Sequence, residues 1–179
     1  MITLFQSNLF NKQLNFSNFY YKIPVSLLIG FTLIFIFLLY YFSILTSFPC
    51  KNTFFTILKT NFVHVDFKHL MNNLFALFFL SLLELKYGTK TFIFIVFLML
   101  VINACLETIA HNLYPSIPCA IGFSGILISL IMFYLMKQKA TTYVILMFIL
   151  TIAIFDDKNV SQISHILGGV TGIITSQII

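Results

Sequence analysis

The sequence predicts an all-α membrane protein, a bundle of six transmembrane helices, and three observations predict it. Of the 179 residues, 60% are hydrophobic and only 8% charged, and the mean hydropathy is +1.02, where a soluble domain carries about 25% charged residues. Several apolar runs reach the roughly 17 to 25 residues that a helix needs to cross a hydrocarbon core about 30 Å thick. No run alternates as barrel strands do, and a helix satisfies its own backbone polar groups in lipid.

Taken in order, residues 1–22 are polar and aromatic and read as a cytoplasmic N-terminal segment, and residues 23–179 read as the membrane domain. The expected spans run from about Ile23 to Leu45, His69 to Leu85, Thr91 to Ile109, Gly122 to Met136, Ala140 to Phe155 and Ile163 to Ile179. The first is too long for a signal-peptide core and no small-residue cleavage site ends it, so it is expected to stay attached. All ten basic residues are lysines, and they stand singly at the ends of apolar runs, where snorkelling anchors belong. The net charge of +5 therefore implies a bilayer partner and no nucleic acid. Lys12, Lys22, Lys86, Lys90, Lys137 and Lys139 fall on one side, against Lys51, Lys59, Lys68 and Lys158 on the other. That bias places the N-terminus in the cytoplasm, and six crossings return the C-terminus to it. Cys50, Cys105 and Cys119 lack the spacing of a zinc site or a disulfide framework.

Polar residues inside spans are costly and count as functional candidates. His69 and Asn73 lie four apart on one face of the second span. Ser124 opens the fourth within Gly122-Phe-Ser-Gly125, and His165 opens the sixth, followed by Gly168, Gly169 and Gly172. At 1.5 Å per residue, Ser124, His165 and Asn73 each sit roughly 20 Å from the cytoplasmic end of their spans, so three spans bring polar groups to one depth. The glycines after His165 form a smooth stripe, and Gly125 with Ser129 forms a matching small pair, so the fourth and sixth helices can approach closely. Glu107 and His111 lie toward the outer end of the third span and are expected to border an outer vestibule.

A serine hydroxyl becomes a nucleophile when an adjacent base takes its proton, and neutral histidine is such a base. Ser124 and His165 are the candidate pair. Developing charge on a carbonyl oxygen needs fixed donors, for which the Ser124 N–H, Asn73 and His69 are candidates. No carboxylate in the sequence is obviously placed to orient His165, so a dyad is expected.

These residues carry a resemblance. His64-x4-His69-x3-Asn73, Glu84 with Gly88, Gly122-x-Ser124-Gly125 and His165-x2-Gly168-x3-Gly172 together resemble the rhomboid family of intramembrane serine proteases. The resemblance implies a six-helix fold with Ser124 as nucleophile, His165 as general base, and His69 and Asn73 at the oxyanion. His64 matches a further family histidine, Glu84 is structural, substrates are single-span membrane proteins, and no metal or cofactor is implied. Three positions depart from the family pattern. Phe55-Thr56 stands near the place of a Trp-Arg pair, Ile128 where an aromatic residue stacks on the histidine, and Ser164 where alanine is common. Two rivals are a rhomboid-like pseudoprotease that binds transmembrane helices without cutting them, and a transporter. The transporter would need polar groups continuing to the cytoplasmic side, and here they stop near mid-membrane.

Overall fold

A few polar side chains decide where the helices start and how they are joined. The computed structural model describes residues 19–45, 53–117, 120–154 and 162–179, which are helices and turns with no strand among them. Most of the N-terminal segment, Cys50 and Cys119 lie outside the described residues; Cys105 carries a free, exposed thiol.

Seven α-helices are described: α1 Pro24–Tyr41, α2 Phe54–Thr60, α3 Phe67–Tyr87, α4 Thr89–Leu113, α5 Ser124–Lys137, α6 Thr141–Ile154 and α7 Gln162–Ile178. Six coincide with the expected spans to within a few residues, and α2 adds a short helix inside what the sequence reads as the first loop. Among the described residues, α1, α3 and α4, of 18, 21 and 25 residues, are the helices long and apolar enough to cross a membrane by length and composition. Helices α5 and α6 have 14 residues each and α7 has 17, or about 21 to 26 Å. The structure thus supplies three spanning-length helices where six were expected. α5 is short because it begins at the Gly122–Ser124 turn, within the bundle.

α1 starts with proline at its first turn, where a missing N–H costs nothing. The next two backbone donors are capped from another helix: Glu84 accepts from Val25 N–H (3.0 Å), Ser26 N–H (2.8 Å) and the Ser26 hydroxyl (2.8 Å). α3 starts at Asp66, whose carboxyl accepts the His69 N–H at 2.7 Å, an N-cap. It ends at Gly88, whose φ of +80° suits glycine and reverses the chain into α4. Lys86 lies 4.9 Å from the Tyr134 ring, so α3 and α5 end side by side, at the end where α1 begins.

α5 is the central helix. Gly125 through Leu130, Met132 and Phe133 are all buried, and its most extensive packing is with α7. Burial is inverted relative to a soluble protein. Phe31, Phe35, Phe75 and Phe97 are more than 60% exposed while Glu84, Asn103, Ser129 and Thr171 are fully buried. Exposed apolar surface on this scale needs a non-aqueous partner, and a polar interior with a phenylalanine exterior is what a bilayer selects. The chain is an integral membrane protein.

Candidate active site

Gly122 sets the turn into α5. Its φ of +109° lies where side chains are disfavoured, its N–H donates to Thr60 O at 3.0 Å, and a methyl group there would sit 2.5 Å from His69 Cε1. The His69 ring therefore lies directly against the backbone that delivers Ser124. The first backbone bonds of α5 run from Ile126 and Leu127 to Phe123 O. The N–H groups of Ser124 and Gly125 stand ahead of that ladder, at the positive end of the helix.

Ser124 Oγ and His165 Nε2 are hydrogen-bonded at 2.8 Å across α5 and α7. His165 is buried and Ser124 half-buried. This approach needs glycine. A Cβ on Gly168 would strike the Gly125 carbonyl, and one on Gly172 would strike the Ser129 carbonyl and come within 2.8 Å of Met132 Cβ. The Ser129 hydroxyl lies 2.8 Å from both Gly125 O and Gly168 O, so one side chain ties the two backbones together.

His64 and Asn73 form a second polar pair. The Asn73 amide donates to His64 Nε2 and to His69 O, both at 3.0 Å, so both of its hydrogens are engaged, and the His64 and His69 rings meet edge-to-face at 5.0 Å. Burial pushes the His64 imidazole from 6.5 down to about 4, and the neighbouring His69 pushes it the same way. The segment carrying His64 is fixed to α5 by the Thr60–Gly122 bond and by Phe62 packing on Phe123 at 5.6 Å. Ile128 packs with Met132 and Val144.

A third polar group lies behind Ser124, and it revises the vestibule expected from Glu107 and His111. Both are buried, at 2% and 3% exposure. Glu107 Oε1 accepts from Asn103 Nδ2 at 2.9 Å and from the Ser164 hydroxyl at 2.5 Å. Thr171 Oγ1 reaches Asn103 Oδ1 at 3.4 Å. A Cβ on Gly125 would meet Ser164 Oγ at 3.2 Å and Asn103 Nδ2 at 3.6 Å, so the cluster packs on the residue after Ser124. Sequence reasoning passed over Asn103 and Thr171. The available signal was Asn103-x3-Glu107-x3-His111, three polar residues four apart on one face of an apolar helix.

A hydroxyl held against an imidazole at a helix N-terminus can act as an activated nucleophile, with nearby N–H groups placed to stabilise an oxyanion. The pattern can be set against known proteins. A profile of the rhomboid domain matches residues 51–179. The chain belongs to the rhomboid family. One rhomboid relative, a protein of Acanthamoeba polyphaga mimivirus named as a rhomboid protein, is 32% identical over 98 residues, covering 54% of this chain and 57% of the relative. The chain thus spans little more than half the length of that relative. No solved structure matches. The rhomboid match starts just before α2, so α1 lies outside it and is joined to the rhomboid domain through Glu84.

Proposed function

We propose that the protein is an intramembrane serine endopeptidase that cuts transmembrane segments of membrane proteins. One observation carries the reading: the 2.8 Å hydrogen bond between Ser124 Oγ and His165 Nε2, inside a chain of the rhomboid family. Ser124 attacks the scissile carbonyl while His165 takes its proton. The tetrahedral oxyanion is held by the Ser124 N–H, by His69 and by Asn73, which gives up one of its two present acceptors to do so. His165 then returns the proton to the leaving amine, and water hydrolyses the acyl-enzyme. His64 holds Asn73, Gly122 gives His69 its place, and Gly125, Gly168 and Gly172 let α5 and α7 meet. No cofactor takes part.

In this reading α1 and α3 through α7 form six crossings, with α5 and α7 starting below the outer surface, and both termini face the cytoplasm. Starting at that depth explains their short lengths. The test uses purified protein in liposomes with a fluorogenic transmembrane peptide and a serine-reactive fluorophosphonate. Wild type is expected to cleave and label, and Ser124→Ala and His165→Ala to lose on the order of 10³-fold or more in cleavage without losing the fold. Failure of wild type to label or cleave any of several peptides would make the chain a helix-binding pseudoprotease.

A further inference from the structure

We infer that Glu107 is a positioning residue for His165, acting through the hydroxyl of Ser164; the inference rests on the peptidase reading and adds to it a residue that touches neither substrate nor the reacting atoms. His165 occupies the first turn of α7, next to Ser164. Side chains tie that turn to α4. Ser164, the preceding residue, donates to Glu107 Oε1. Asn103 shares the same oxygen, and Thr171, two turns along α7, reaches Asn103. α7 is thus pinned to α4 at two heights, and His165 meets Ser124 on the neighbouring α5.

The chemistry selects an acceptor oxygen for this place. Glu107 Oε1 receives two donors at once, one from its own helix and one from α7, while Oε2 has no hydrogen-bond partner among the described residues. Loss of either end of the Ser164–Glu107 link removes a buried hydrogen bond, which is expensive away from water, and lets the first turn of α7 shift. An active site tolerates such a shift badly: about 1 Å of misplacement can lower turnover by about a hundredfold. Gly125 carries the constraint across to the nucleophile, because both Ser164 and Asn103 stand where its side chain would begin.

The experiment compares wild type, Glu107→Ala, Glu107→Gln, Ser164→Ala and the Glu107→Ala/Ser164→Ala pair in liposomes, measuring kcat and KM on the same peptide. It also records the imidazole nitrogen resonances of protein labelled with 15N-histidine. Either alanine variant is expected to lower kcat at least about tenfold with KM within about twofold. The pair is expected to be no worse than the single variants, because both break one link. Glu107→Gln, which keeps an acceptor oxygen, is expected to stay within about threefold of wild type. His165 resonances should move alike in Glu107→Ala and Ser164→Ala, with those of His64 unmoved. Multiplicative losses in the pair, glutamine as damaging as alanine, or unmoved His165 resonances would overturn the inference. Absent cleavage by wild type would overturn the peptidase reading, and the resonances would still decide on Glu107. Ser164→Ala removes one hydroxyl, so it decides the matter even where Glu107→Ala fails to fold.

Discussion

Two buried glutamates stand at opposite ends of the bundle and are used differently. Glu84 is saturated: two backbone N–H groups and a hydroxyl from the first turn of α1 converge on its two oxygens. Glu107 accepts both of its bonds on one oxygen, from Asn103 and Ser164. The first is a closed knot that joins α1 to α3. The second is an open one beside the Ser124–His165 pair. Glu84 fixes the start of α1 to α3, whereas Glu107 fixes the start of α7, which carries His165. In the peptidase reading the difference separates stability from activity.

The sharpest way to break that comparison is Glu84→Ala. It strips the cap from two orphan donors of α1 and leaves them buried, and hydrogen bonds to a carboxyl of this kind contribute about 1.5 to 3 kcal/mol each when charged. Stability in detergent micelles, followed by denaturant titration, should fall by about 3 kcal/mol. Peptide cleavage per folded molecule should stay within about twofold. Equal losses of kcat in Glu84→Ala and Glu107→Ala would erase the distinction between the two ends.

A smaller effect separates the same two regions through glycine. At the site end, Gly168 has no room for a Cβ, because the Gly125 backbone occupies it. Gly168→Ala must push α7 away from α5, at about 1 to 3 kcal/mol and with loss of cleavage, since the Ser124–His165 bond spans those helices. Away from the α5–α7 contact, on α1, a Cβ on Gly30 would meet Leu74 and Leu77 Cδ2 at 3.7 and 3.8 Å, ordinary contact. Gly30→Ala should gain up to about 1 kcal/mol from helix propensity and leave cleavage unchanged. Thermal unfolding and cleavage of both variants check the pair together.

Much of this architecture is legible from the residues alone, and the exceptions have physical causes. Helix positions follow from apolar runs, since lipid leaves the backbone no alternative, and the glycine stripe of α7 announces a close helix. The His165–Ser124 pairing was readable because both residues open their helices at one depth. Helix α2 was not, because a seven-residue helix carries too little periodicity to stand out from a loop. The partners of Glu107 were not legible either. Distance along a helix gives depth, but the direction a side chain faces depends on its neighbours. Asn103 on its own helix and Ser164 on α7 turn Glu107 inward, and Ser164 belongs to a separate apolar run far along the chain. The partners of Glu84 were hidden for the same reason, since Val25 and Ser26 offer backbone donors that leave no mark in the sequence.

The smallest effect sharpens the comparison through pH. All four histidines, His64, His69, His111 and His165, lie at the site end, so acid should act on them there. Among them His64 sits outside the spanning helices, and burial lowers its imidazole from 6.5 to about 4. Between those values the unfolded chain holds a proton on this residue and the folded chain does not. The His64 contribution to stability is therefore complete above pH 6.5, declines as the pH falls, and is gone below about pH 4. His64→Gln retains an oxygen that can accept the Asn73 amide and removes the titrating group. Its unfolding free energy should depend less steeply on pH than that of wild type between 6.5 and 4, with the two proteins parallel above 6.5. Hydrogen exchange should show acid opening beginning at the start of α3, with the first turn of α1 still protected. Superimposable pH profiles would mean that His64 excludes no proton, and opening that began at α1 would place the weak end of the molecule opposite to where its histidines are.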